Sequence, residues 1–182
     1  MTAWTEASIG AWLVRHTFQR KLLIVPNCNW TGNECDLLAV SDNLRIVDIE
    51  IKISRADLKA DASKSKWWHT YWSWERRDEH HVVPAPLRWP PKVWKHYYCL
   101  PAEIWKPELL GCISPASGVL LIEDAGKHRA RNISSVRRAT PNRDAKPISA
   151  EHAIDIARLA GLRMWDALEL VANSRRNERL TA

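Results

Sequence analysis

The sequence predicts a single mixed α/β domain, and three features carry that prediction. Residues 44–53, with Ile46, Val47, Ile49, Ile51 and Ile53, give the strongest strand signal in the chain. Only Ser41-Asp42-Asn43 separates this run from a second strand-like segment at 35–40, so the two form an antiparallel hairpin. Helical periodicity opens and closes the chain. At 182 residues, 46% hydrophobic and 26% charged, the chain suits one core of ordinary size.

Element by element, residues 5–18 place Ile9, Trp12, Leu13 and His16 at helical spacing. The apolar run 22–25 reads as a short strand ended by Pro26, and 27–33 as a turn. The hairpin follows. Ser54 is a good N-cap, with Asp57 three residues on, for a helix through Lys66. Residues 67–92, rich in Trp, His and Pro, form an irregular insertion. Strands are expected at 93–100, closed by Pro101, at 118–123 and near 133–136, with a short helix at 102–110. Ser149 caps a helical C-terminal extension at 149–174. Within it, Ile156 to Leu162 resembles the turn of a helix-turn-helix. The bulky Met164-Trp165 starts a recognition helix poorly, so an amphipathic helix pair lying on the sheet is expected.

Charge and aromatic content narrow the function. Lys and Arg number 27 against 21 acids, a formal charge of +6 that favours a polyanionic partner. Lys127, Arg129, Arg131, Arg137, Arg138 and Arg143 lie in one stretch without an acid. This strip reads either as phosphate-contacting or as a solvated loop. Of 11 Trp, six fall between Trp67 and Trp94. Trp67, Trp68, Trp72 and Trp74 either stack on unpaired bases or anchor an irregular loop. No apolar run approaches the ~20 residues of a membrane span, and no signal-peptide pattern opens the sequence. With four dispersed cysteines, a cytoplasmic protein with reduced thiols is expected. His80-His81, His96 and Cys99 lack the paired spacing of a structural zinc site.

The chemistry concentrates on the hairpin. Glu50 and Lys52 are two apart at the end of the best strand, so they share a face. Asp36 starts the partner strand, and adjacent strands lie about 4.8 Å apart. Two carboxylates at that separation can both reach one Mg²⁺, whose oxygen ligands lie at about 2.1 Å. Lys52 then stands beside the metal, placed to hold or deprotonate an attacking water. The acid-x-Lys spacing alone carries nothing, since Asp57/Lys59 and Asp144/Lys146 share it. Only Glu50/Lys52 lies on a strong strand with an acid on a hairpin partner. Without metal the two carboxylates repel each other, so neutralising either is expected to leave the fold at least as stable.

Asp36, the hairpin and Glu50-Ile51-Lys52 together resemble the PD-(D/E)XK nuclease superfamily. Glu50 to Ser54, with Asp57, Asp61 and Lys64, is similar to the compact phage and bacterial MmcB-like DNA-repair nucleases. The resemblance covers roughly residues 5–123. It departs at Cys35, where the superfamily name would put Pro, and at the Trp-rich insertion, which has no counterpart in the minimal core. It implies a restriction-endonuclease-like core, a mixed central sheet flanked by helices, and Mg²⁺- or Mn²⁺-dependent hydrolysis of DNA, with RNA not excluded. Asp36, Glu50 and the Ile51 carbonyl would ligate the metal, and Lys52 would orient water and stabilise the phosphate. Glu34, Glu6, Lys64 and Lys66 are accessory candidates, each equally readable as a surface charge. Cutting both strands of a duplex usually needs two active sites, which allows a homodimer. Two other classes stay open: a non-catalytic nucleic-acid-binding or regulatory protein on the same scaffold, and a protein-interaction module using the Trp-rich surface.

Overall fold

The computed structural model describes residues 4–69, 85–123 and 132–181. Helix α1 (Glu6–His16) begins at Thr5, whose hydroxyl accepts from the Ser8 N–H while the Ser8 hydroxyl takes the Thr5 N–H. Three antiparallel strands follow: β1 (Leu23–Cys28), β2 (Cys35–Val40) and β3 (Ile46–Ile51). Then come α2 (Arg55–Asp61), the two-residue strands β4 (Trp68–His69) and β5 (Ala85–Pro86), β6 (Lys95–Pro101), β7 (Gly118–Glu123), β8 (Asn132–Arg137) and α3 (Ala150–Thr181). The main sheet has the order β1-β2-β3-β6-β7-β8, and β6 lies parallel to both β3 and β7. The expected mixed α/β sheet with flanking helices is therefore present.

Strand β3 sits third of six, between two neighbouring strands and covered on both faces, so its two acids are buried along with its apolar residues. Its side chains Val47, Ile49 and Ile51 join Leu37 and Ala39 against Ile9 and Leu13 of α1. The opposite face divides into two apolar clusters. One gathers Val25, Leu38, Val40 and Ile46 against Ile148 and Ile156, the second from the start of α3. The other gathers Leu58 of α2 with Trp67, Tyr98, Leu100 and Val119. Between them β3 presents Asp48 and Glu50, with Lys52 just beyond, all buried. An apolar frame thus surrounds a charged centre.

Several boundaries differ from expectation for local reasons. Strand β1 runs through Pro26 to Cys28, because an edge strand needs no donor on its open side. Helix α2 stops at Asp61, where Ser63 bonds back to the Ala60 carbonyl, and a 3-10 turn (Ser65–Trp67) follows. Pro107 cannot sit inside a helix, so 102–112 forms two 3-10 turns. The expected pair of C-terminal helices is one continuous helix, α3, which passes through Gly161 and extends to Thr181. Within the Trp-rich insertion, Trp67 and Trp68 donate their indole N–H groups to Asp61 Oδ2 and the Ala62 carbonyl. Trp72, Trp74, His80 and His81 lie outside the described residues. Among the described residues no helix is long and apolar enough to cross a membrane.

Candidate active site

The hairpin ladder stops one step short of the site. Strands β2 and β3 pair from Val40↔Ile46 to Leu37↔Ile49, and there regular pairing ends. Beyond that point Asp36 turns its side chain into the gap, and the Ile51 N–H donates to Asp36 Oδ2 at 2.7 Å. A carboxylate replaces the carbonyl of a strand partner, which brings Asp36 to the Ile51 peptide and to the Glu50/Lys52 face.

Three acids surround the Lys52 ammonium. Its Nζ lies 2.6 Å from Glu50 Oε2, 3.5 Å from Asp36 Oδ2 and 3.6 Å from Asp61 Oδ1. Lys66 Nζ takes the other Glu50 oxygen at 2.6 Å and lies 3.6 Å from Asp61 Oδ2. Lys64, half-exposed, reaches Asp61 Oδ1 at 2.8 Å. Tyr98 Oη donates to Asp61 Oδ2 at 2.5 Å. Glu50, Lys52, Asp61 and Lys66 are nearly closed to solvent, whereas Asp36 is 25% exposed. Asp36 is thus the acid of this group that an external ligand meets first.

Burial opposes charge on each group, and the pairing decides which wins. Burial alone would raise Glu50, but the Lys66 and Lys52 ammoniums hold its pKa below the ordinary carboxylate value. Asp61 is likewise depressed, with Lys66, Lys64 and Tyr98 outweighing burial. Lys52 and Lys66 are raised for the reciprocal reason. Asp36 goes the other way: burial and the Glu50 charge raise it, against partial relief from Lys52 and the Ile51 N–H.

Behind this group lies a second layer. Asp48 and His96 are fully buried, with His96 Nε2 3.9 Å from Asp48 Oδ2 and His96 Nδ1 2.9 Å from Ser117 Oγ. Burial lifts Asp48 to about 7, and burial and Lys66 hold His96 well below its ordinary value. Among the described residues, Asp48 Oδ1 and His96 Nε2 have no hydrogen-bond partner. Asp48, Glu50 and His96 offer ligand atoms within 4.8 Å of one another, although Lys52 and Lys66 already hold both Glu50 oxygens. Glu50 therefore belongs to both layers.

The remaining candidates are placed unequally. Glu6 of α1 lines a cavity of about 520 Å³ with Asp36, Gly10, Leu37 and Ile51, and its charge adds to the rise at Asp36. Glu34 is exposed and precedes β2, so the strand does not align it with Asp36. The Arg137 guanidinium donates to the carbonyls of Ser117 and Ser114, at 2.8 and 2.7 Å. Arg138 and Arg143 are exposed, and Lys127, Arg129 and Arg131 lie outside the described residues.

With this geometry in view, comparison with known proteins adds the fold alone. No family model and no curated protein matches the chain. A solved structure of SPO1766, a protein of unknown function from Silicibacter pomeroyi, is similar at 16% identity with a TM-score of 0.54, covering 96% of each chain. The arrangement of the sheet and helices therefore recurs along the full length of a distant chain.

Sequence reasoning assigned no role to Asp48, Asp61, His96 or Tyr98. The signal for Asp48 was present: Asp48, Glu50 and Lys52 alternate along one strand and must share a face. His96 and Tyr98 face the same side from β6, paired with Asp48 and Glu50 in register. That pairing of distant segments has no local signature.

Proposed function

We propose that the chain is a divalent-metal-dependent phosphodiesterase acting on DNA, with its active site at Asp36, Glu50 and Lys52. The observation that carries this reading is the Lys52 ammonium, which lies within 3.6 Å of three carboxylates at the end of the β2–β3 ladder. The donor set fits a hard divalent ion: the oxygens of Asp36 and Glu50, with the Ile51 peptide beside them, suit Mg²⁺ or Mn²⁺. Asp36, Glu50 and the Ile51 carbonyl would hold it. When bound, such an ion supplies charge neutralisation at the phosphate and a water of lowered pKa.

The chain's own residues do the rest. Lys66 and Asp61, locked by Tyr98 and Trp67, fix the Glu50 carboxylate and the Lys52 stem. Lys52 stays protonated, so it orients the attacking water as a donor and stabilises charge building on the phosphate. Asp36, partly exposed beside the cavity that it shares with Glu6, faces the direction of substrate entry.

A second reading rests on Glu50, whose two oxygens are both held by lysines at 2.6 Å. A closed ion network of this kind also suits a non-catalytic nucleic-acid-binding protein. One assay separates the two. Supercoiled and linear DNA are incubated with the purified chain in Mg²⁺, Mn²⁺ or EDTA. The nuclease reading expects cleavage with metal and none in EDTA. Salt-sensitive DNA binding without cleavage in either metal selects the second reading.

A further inference from the structure

Helix α3 leaves the domain. Its first turns pack on the sheet through Ala153 and Ile156, which contact the Val25, Val40 and Ile46 cluster. The helix then continues to Thr181. Beside the packed face runs a second apolar stripe, Ile154, Ala157, Gly161, Met164, Leu168 and Val171. These positions alternate in steps of three and four, the spacing of a coiled-coil seam. Ile154, Met164, Leu168 and Val171 are 68%, 53%, 50% and 49% exposed, and Trp165 at the border of the stripe is 65% exposed. The stripe extends for roughly 26 Å at 1.5 Å per residue. Contiguous apolar surface of this length marks an interaction site.

We infer that the occupant is the same stripe of a second copy, packed antiparallel about a two-fold axis near residues 162–163. Size and charge select this register together. It sets Gly161 against Met164 of the second copy, Ala157 against Leu168 and Ile154 against Val171, so small residues face large ones. The two-fold axis repeats each pairing in reverse. It also brings Arg158, on one flank of the stripe, close to the second copy's Glu169, and Glu169 close to the second copy's Arg158. A parallel pairing would oppose Gly161 to Gly161, leaving a void, and would put Arg158 and the second copy's Glu169 on opposite sides of the seam. The two domains then sit towards opposite ends of the paired helices, because among the described residues α3 meets its own sheet through its first half, from Ala153 to the Arg163 contact with the Asn27 carbonyl. This inference is independent of the nuclease reading, because it uses none of the active-site residues.

The test is the mass in solution of the full chain, by light scattering on a sizing column, at about 100 µM and below. The wild type is expected to be a dimer that dissociates on dilution. Leu168→Asp should be monomeric, with an unchanged circular dichroism spectrum because the position is exposed. Arg158→Glu and Glu169→Arg should each weaken the dimer roughly tenfold by placing like charges together twice. Mixing those two variants in equal amounts should restore wild-type affinity, since the mixed pair carries opposite charges at both contacts. A monomeric wild type at the highest concentration overturns the proposal. So does a dimer that survives Leu168→Asp, or a mixture no tighter than its components. A monomer recruited through α3 to vesicles of phosphatidylcholine and phosphatidylglycerol also overturns it, in favour of a lipid surface.

Discussion

At the scale of single residues, Lys66 shows how burial converts a charge into a structural requirement. Its ammonium is almost inaccessible and holds Glu50 Oε1 at 2.6 Å. Replacing it with Met leaves Glu50 and Asp61 buried with one cation fewer. Loss of one partner of a buried pair costs about 3–5 kcal/mol, so Lys66→Met should lower stability by about that amount in urea unfolding. Glu50→Gln should also destabilise, because both of its oxygens hold buried lysines. This corrects the expectation that neutralising either acid relieves repulsion: it survives for Asp36, whose pKa is raised, and reverses for Glu50, whose pKa is lowered.

The same contrast sets the pH behaviour. Asp48 is protonated more readily in the folded state, at about 7 against an ordinary 3.8, so it prefers the folded chain at low pH. Its contribution is fully present below pH 3.8 and is lost as pH rises through 7. Glu50 and Asp61, both depressed, behave oppositely: their contribution is present above ordinary carboxylate values and is lost in acid. Stability should therefore peak in mildly acidic solution. In Asp48→Asn the decline of Tm between pH 5 and 8 should flatten. An identical slope in the variant would place the titration elsewhere.

At the scale of elements, the hairpin was legible because a period-two apolar pattern and a three-residue connection specify it locally. The placement of Asp36, Glu50 and Lys52 followed from that geometry. What the sequence did not disclose comes from elements that meet only in three dimensions. Strand β6 brings His96 and Tyr98 beside β3, and the 3-10 turn after α2 carries Lys66 inward, although its number alone reads as a surface lysine. The ends of α2 and β1 were missed because Ser63 and Pro26 act through context, one by a back-bond and one by edge position. Gly118 at the start of β7 is a further point of contact. A Cβ there would overlap the Tyr97 ring and approach the Ala139 nitrogen to 2.8 Å. Gly118→Ala should cost about 1–3 kcal/mol by overpacking, measured by thermal unfolding. Gly111→Ala, where the space is open, is the control.

At the scale of the whole molecule, the net charge of +6 and the exposed Arg138 and Arg143 set the DNA expectation. Arg137 is a poor probe, because its guanidinium caps two backbone carbonyls and its loss would disturb the β7–β8 edge. The pair Arg138→Ala and Arg143→Ala should instead weaken DNA binding for all sequences alike. The slope of log affinity against log salt should flatten by roughly one to two units. An unchanged slope would return these residues to the solvated surface.

Asp36 separates the proposed catalysis from folding more cleanly than its buried neighbours do. It is partly exposed, and burial and the Glu50 charge make its ionisation costly. The measurement is single-turnover DNA cleavage in Mn²⁺ by Asp36→Asn, alongside its melting temperature. The predicted result is a Tm equal to or above wild type, with cleavage reduced at least about a hundredfold, as loss of a metal ligand requires. Cleavage by the folded variant at the wild-type rate would contradict a metal-dependent active site built on Asp36.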